Sequence, residues 1–321
     1  MVVVRMSRIA YTGATESALV LLDRIKQSVS KAKSWVELAR SLAEEGSKAI
    51  TLRPTSALLI NTLRELLARV KELYKNGESH EEAIKKITEY IEFQRRRTIE
   101  SVEKLSEIGA RRLPPDSTIL VHSYSTSVLK VLEKALEKRG LKAVYATESR
   151  PGSEGLEMAR KISQLGVDVY LIVDSAVNYY MDKIDLVLLG AEAITANGAL
   201  VNKVGSSLIA LAAYHKRTRV LVAAGTYKFS FETLLGEVIR IPEAPASVLG
   251  VPEELVKLGV KVKAPLMDVT PPNYIDAIIT EEGVTSPQGI PILMWEKYGK
   301  WPYSQPDVNM LIKELMKIGR G

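Results

Sequence analysis

The chain's 321 residues are enough for about two domains and a large buried core. It carries 44 Lys and Arg against 38 Asp and Glu, a net charge of +6, and 46% of its residues are apolar, which is the balance of an ordinary globular protein with a mild affinity for anions. It has no cysteine, which excludes disulfides, thiolate metal sites and cysteine nucleophiles; its three histidines, His80, His122 and His215, form no HxH or HExxH pair, so neither a metal nor a cofactor is expected.

The amino-terminal run MVVVRMSRIAYTG is broken by Arg5 and Arg8 and is too short for a signal peptide. No run approaches the roughly 20 apolar residues of a membrane span. These features predict a cytoplasmic protein without membrane contact. The abundance of Lys and Glu matches a thermophile. Helical spacing then governs residues 16–109. Leu19, Leu22 and Ile25 mark one helix over 16–29, and Leu38 and Leu42 mark another over 35–49. Pro54 breaks the pattern, because the residue before a proline is pushed out of helical angles. Leu59, Leu63, Leu66, Leu67 and Val70 line a third helix over 56–76, closed by Gly77. Ser79 and Glu82 form a capping-box pattern for a fourth helix running to about residue 108. That helix holds Arg95-Arg96-Arg97, a run with no interleaved aromatic residues and therefore no stacking platform for a nucleic acid.

The stretch 111–117, RRLPPDS, reads as a linker, and beyond it the periodicity changes. Short β-rich runs at 118–122, 143–147, 167–173, 186–189, 219–223 and 274–280 alternate with helical runs at 126–139, 154–165, 174–181 and 206–216. Such alternation predicts a mostly parallel sheet. A proline-punctuated insertion covers 242–265, and a last helix covers 308–318. The fold class is α/β, with a helical amino-terminal domain over 1–113 and a Rossmann-like domain over 114–321.

In such a sheet, ligands bind beyond the carboxyl ends of the strands. Four strands end in polar loops: His122-Ser123-Tyr124-Ser125, Thr147-Glu148-Ser149-Arg150, Asp174-Ser175 and Gly190-Ala191-Glu192. Neither GxGxxG nor GxxxxGK[ST] occurs, so dinucleotide and ATP fingerprints are absent. Arg150, held by Pro151, offers a guanidinium suited to phosphate. Asn202 and Lys203 precede a helix that starts near Gly205, and such a start with an ammonium beside it favours an anion. Ser123, Ser125 and Asp174 suit helix caps as well as ligands.

Seven stretches carry a resemblance: RPTSALLINTLR at 53–64, HSYS at 122–125, TESRP at 147–151, DSAVNYYM at 174–181, GAEAITANGALVNKVGS at 190–206, TYKF at 226–229 and DVTPP at 268–272. They run in the order of, and resemble, the family that joins the alpha, beta and delta regulatory subunits of translation initiation factor 2B with archaeal ribose-1,5-bisphosphate isomerase and methylthioribose-1-phosphate isomerase. The resemblance implies dimerisation or larger homo-oligomers through the Rossmann-like domain and a sugar- or nucleotide-phosphate pocket at the four loops. It implies ligand contacts at Gly13, Ala14, Arg53, Ser123, Arg150, Glu192, Asn202 and Lys203.

The isomerases of that family use a cysteine in the HSYS loop and an aspartate after the GA of the central motif. Here the two positions are Ser123 and Glu192. A hydroxyl is a far poorer acid than a thiol. The alpha-type regulatory subunits share the GAE pattern. The resemblance thus points to a non-catalytic, archaeal alpha-like regulator that senses a sugar phosphate or nucleotide monophosphate. Its implied partner is the alpha subunit of initiation factor 2, with no direct contact to nucleic acid. The alternative is a ribose-1,5-bisphosphate isomerase with Glu192 as acid/base and Ser123 or a water in place of the thiol.

Overall fold

The computed structural model describes residues 13–236, 238–298 and 306–320. Most of the amino-terminal run read above, residues 1–12, lies outside them. Two compact units emerge, one made of residues 1–100 and 298–321, the other of residues 101–297.

The first unit is helical. Helices α1 (Ala14–Lys31), α2 (Trp35–Leu52) and α3 (Ala57–Lys75) are joined by short breaks, and α4 (His80–Ala110) begins here and continues past the division at residue 100. Ser34 caps α2 by accepting from the Glu37 N–H, and Ser79 accepts from the Glu82 N–H at 3.2 Å, as the capping box requires. The apolar faces follow the expected spacing. Leu21, Leu22, Ile25 and Val29 of α1 pack with Leu38 and Leu42 of α2, Leu59, Leu63, Leu66 and Leu67 of α3, and Ala83, Ile87 and Ile91 of α4.

The final helix, α11 (Val308–Ile318), inserts Leu311, Ile312 and Leu315 into this same core. Its end is tied down by Arg40, whose guanidinium donates twice to the Gly319 carbonyl, at 3.0 and 2.6 Å. The sequence reading ran the second domain from 114 to 321. The compact units instead group this helix with the first and residues 101–113 with the second. The reason is amphipathicity: an isolated apolar face must be buried somewhere, and periodicity shows the face without showing its partner.

The second unit holds a seven-stranded sheet in the order β10-β9-β7-β4-β1-β2-β3. Its strands are β1 (Ser117–His122), β2 (Leu141–Thr147), β3 (Val169–Ile172), β4 (Leu186–Leu189), β7 (Arg219–Ala223), β9 (Ala277–Thr280) and β10 (Gly283–Thr285). All pairings are parallel except β10 against β9. Strand β1 is buried along its whole length, as a strand covered on both faces must be. Helices α5 (Thr126–Arg139), α6 (Glu154–Ser163), the short α7 (Val177–Tyr180) and α8 (Ser206–Lys216) connect the strands, and α9 (Glu253–Lys257) lies in the insertion over 242–265. Helix α10 (Ile290–Tyr298) follows β10.

A second, antiparallel sheet of three strands was not foreseen. It pairs β5 (Ala193–Ile194) with β6 (Leu200–Lys203) and β6 with β8 (Met267–Thr270). The turn at Asn197-Gly198 closes its hairpin. Gly198 has φ +80°, and a Cβ there would meet the Pro287 carbonyl oxygen at 2.2 Å, so only glycine fits. Strands of two and four residues are too short to show alternation in sequence, which is why this sheet escaped notice.

Candidate active site at the strand switch point

The chain leaves β1 outward through β2 and β3, then returns to β4 on the other flank of β1 and continues through β7 and β9. The loops after β1 and β4 therefore diverge from adjacent strands, and the crevice between them is the topological switch point. Ser123 stands on the first of these loops and Glu192 on the second. The loops also touch: a Cβ at Gly190 would lie 2.4 Å from the Ser125 hydroxyl, which caps α5 by accepting from the Val128 N–H.

His122 ends β1 and is the hub of the site. It is fully enclosed, and its Nε2 donates to the Val204 carbonyl at 3.0 Å. Its Nδ1 accepts from the Thr147 hydroxyl at 2.6 Å. One nitrogen donating and the other accepting defines the neutral imidazole. Burial pushes the proton affinity of His122 down, opposed in part by Asp174, by the Val204 carbonyl and by Asp268. Thr147 stands 3.1 Å from the Ser149 hydroxyl, which in turn accepts the backbone N–H of Ser123 at 2.7 Å. Ser123 and Ser149 both adopt the left-handed conformation, with φ +63° and +64°. Such backbone persists only where surrounding bonds over-determine it.

Asp174, which suits a helix cap or a ligand by sequence, does something else. Its two carboxylate oxygens accept the N–H groups of Ser149 and Arg150, at 2.8 and 2.7 Å, and so fix the loop after β2. Arg150 follows in a cis peptide with Pro151, and its exposed guanidinium donates to the Leu249 carbonyl at 2.8 Å.

Glu192 is 3% exposed, its N–H bound to the Val201 carbonyl at 2.9 Å. The carbonyl just before it, that of Ala191, accepts from the buried Lys228 ammonium at 2.8 Å, so the TYKF stretch braces the Glu192 loop from the end of β7. That stretch is itself held by Glu281, which accepts the Thr226 N–H at 2.9 Å.

Asn202 and Lys203 lie on β6, one strand before the helix start they were expected to serve. The Asn202 amide donates to the Ser206 hydroxyl at 2.9 Å. The Lys203 ammonium is 2.6 Å from Glu154 Oε1, both side chains being less than a tenth exposed. The start of α8 is filled from within the chain. Asp268 Oδ2 accepts from the Gly205 N–H at 2.8 Å, from the Ser207 N–H at 3.2 Å and from the Ser207 hydroxyl at 2.8 Å. A carboxylate already occupies the anion seat that the sequence pattern suggested. Asp268, Glu154 and the hub role of His122 went unread. The first two act across sixty-one and forty-nine residues of sequence, a separation that no local motif encodes.

Of the remaining expected contacts, Gly13, Ala14 and Arg53 belong to the first unit. Arg53 is buried, and its Nη1 donates to Ser17 Oγ at 2.6 Å, while that hydroxyl donates to the Gly13 carbonyl at 3.1 Å. Ser17, absent from the expectation, thus links Arg53 to Gly13 at the start of α1. The structure brings Ser123, Arg150, Glu192, Asn202 and Lys203 to one edge of the second unit. Among the described residues, no helix is long and apolar enough to cross a membrane.

The model of the initiation factor 2 subunit family matches residues 10–287. The chain belongs to that family. A ribose 1,5-bisphosphate isomerase of Archaeoglobus fulgidus is 41% identical over 262 residues, covering 81% of each chain. Its namesake in Methanocaldococcus jannaschii is 40% identical over 83% of each. Among solved structures, a Pyrococcus horikoshii translation initiation factor eIF-2B matches with a TM-score of 0.72 and 25% identity, over 88% of this chain and 97% of that one. Six curated relatives at 34–41% identity, over 79–92% of this chain, bear the name ribose 1,5-bisphosphate isomerase. That finding overturns the expectation of a non-catalytic regulator. The expectation weighed two residues, Ser123 and Glu192, against the whole chain, and similarity over the whole chain favours the enzymes.

Proposed function

We propose that this family member is an aldose–ketose isomerase that converts ribose 1,5-bisphosphate to ribulose 1,5-bisphosphate, with Glu192 as an acid/base group. The observation that carries the reading is the buried Glu192 carboxylate on the switch-point loop of a chain whose isomerase-named relatives match it over most of its length. The reaction moves protons and cleaves the ring; it needs no redox partner. A proton must reach the ring oxygen as its bond to C1 breaks, another must leave C2, and one must arrive at C1. Glu192 reaches one methylene further than an aspartate would, and the Lys228–Ala191 bond holds its loop in place. Water exclusion around a buried carboxylate strengthens such proton transfer.

Arg150 is the phosphate contact in this reading. Its guanidinium would exchange the Leu249 carbonyl for a phosphate, a charge-assisted and stronger partner. The Lys203 ammonium keeps donors beyond the one aimed at Glu154.

The test is direct. Ribose 1,5-bisphosphate incubated with the protein should yield ribulose 1,5-bisphosphate, resolved by chromatography or by coupling to a carboxylating enzyme. Glu192→Gln should lower turnover by about 100-fold or more. Wild-type protein that forms no product refutes the reading.

A further inference from the structure

The isomerisation proposed above requires two proton-transfer groups, and Ser123, an alcohol at the thiol's position, is a far poorer acid than a thiol. Asp174 has both oxygens committed to backbone N–H groups. Thr147 and Ser149 are bound up with His122. One group in the same cluster stands out. Glu154, at the start of α6, has a side chain only 9% exposed; Oε1 contacts Lys203, while Oε2 is buried and has no partner. A buried carboxylate oxygen left without a donor is costly, and such exceptions call for an explanation.

Its placement ties it to the catalytic loops. A Cβ at the neighbouring Gly155 would lie 2.8 Å from the Ser149 hydroxyl, the group that holds the Ser123 backbone, and 1.8 Å from the Thr147 carbonyl oxygen. Lys203 precedes Val204, whose carbonyl binds His122. Glu154 thus stands one residue from the backbone packed on the Thr147–Ser149 loop, and its carboxylate is bound to the residue before Val204. Asp268 Oδ1 is also buried and unpartnered, but Asp268 Oδ2 holds the start of α8 through three hydrogen bonds. Protonating Asp268 would loosen that helix start, whereas Glu154 has one oxygen, Oε2, outside its single ion pair with Lys203.

We propose that Glu154 is the base that takes the C2 proton, standing in functionally for the missing thiol. This assignment rests on the isomerase reading. Glu192 gives a proton to the ring oxygen as the C1–O bond breaks, and the bonding pair stays on oxygen. Glu154 Oε2 takes the C2 proton, and the C2–H pair forms the C1=C2 bond of an enol phosphate. The enol O–H then returns its proton to Glu192 as the C2 carbonyl forms. Glu154 delivers its proton to C1. Both carboxyl groups end as they began, and substrate and product are isomers. Lys203, fixed on Oε1, orients the carboxylate without occupying Oε2.

Wild type, Glu154→Gln and Glu154→Ala are assayed with ribose 1,5-bisphosphate, with circular dichroism confirming that each is folded. Glu154→Gln should lose about 100-fold or more in kcat. Sodium formate should restore part of the lost rate to Glu154→Ala, an effect that a merely structural carboxylate would not give. Glu154→Gln turning over at the wild-type rate overturns the assignment, as does a folded Glu154→Ala whose activity formate leaves untouched. In either case an active wild type keeps the isomerase reading. A wild type without turnover overturns that reading and the assignment together.

Discussion

Helices α1 and α8 each begin after a glycine, and the two starts are held in opposite ways. Helix α1 follows Gly13, has no side-chain cap, and is tied to a cation: the Arg53 guanidinium reaches it through Ser17. Helix α8 follows Gly205 and is tied to an anion, the Asp268 carboxylate. Both starts expose N–H groups at the positive end of a helix dipole. A carboxylate satisfies those groups and neutralises the field; a guanidinium beside them adds to it. A glycine before a helix therefore advertises a possible anion seat, and a residue far away in sequence decides whether the seat is taken.

The largest effect should come from removing the hub beneath α8. His122→Ala deletes the donor to Val204 and the acceptor from Thr147, and leaves a cavity in a fully enclosed place. A loss of about 3 kcal/mol or more is expected, read from urea-melt midpoints. The same residue sets a pH dependence. Burial lowers its proton affinity below the ordinary imidazole value of 6.5. Between the depressed folded value and 6.5, the unfolded chain binds a proton that the native chain refuses. Stability is then fully present above about pH 6.5 and declines as pH falls through that window. His122→Ala should flatten this part of the profile, and an unchanged slope would show that His122 is not the titrating group.

Arg53→Met should come next, at roughly 1–3 kcal/mol, because it takes the guanidinium from a buried hydroxyl while keeping most of the side chain's bulk. Asp268→Ala should cost about 1–2 kcal/mol as a lost cap, and Asp268→Asn less, since an amide oxygen still accepts from Gly205 and Ser207. If Asp268→Asn proves as harmful as Asp268→Ala, charge and not hydrogen bonding holds the start of α8.

The sequence makes legible whatever depends on neighbours within a turn or two. The four parallel strands beside the site, the caps at Ser79 and Ser125 and the switch-point loops carrying Ser123 and Glu192 all follow from local pattern. The core face of α11 was legible too, but not the unit that buries it. Asp174 suits a cap or a ligand by sequence, yet it binds the loop of another strand, because a carboxylate goes where two N–H groups converge. Lys203 was read with the helix after it, yet it pairs with Glu154 at the start of α6. In the candidate site, the residues the sequence singles out are those the loops display, and the ones it passes over are those that hold the loops still.

The smallest effect is expected where the sequence most resembles a nucleic-acid contact, at Arg95-Arg96-Arg97. In the structure Arg95 pairs with Asp23, and Arg97 donates to Glu65 at 2.8 Å while lying 5.7 Å from the centre of the Phe93 ring. Arg97 is half in water, unlike Arg53 and Lys203, so its ion pair is screened and its side chain loses freedom by forming it. Arg97→Ala should shift stability by no more than about 0.5 kcal/mol, and less at high salt. The contrast with Arg53→Met, the same charge removed from a buried position, isolates what enclosure contributes. A loss at Arg97 as large as that at Arg53 would mean that the exposed pairs along α4 act as one network, and that burial is the wrong measure of which cations hold this protein together.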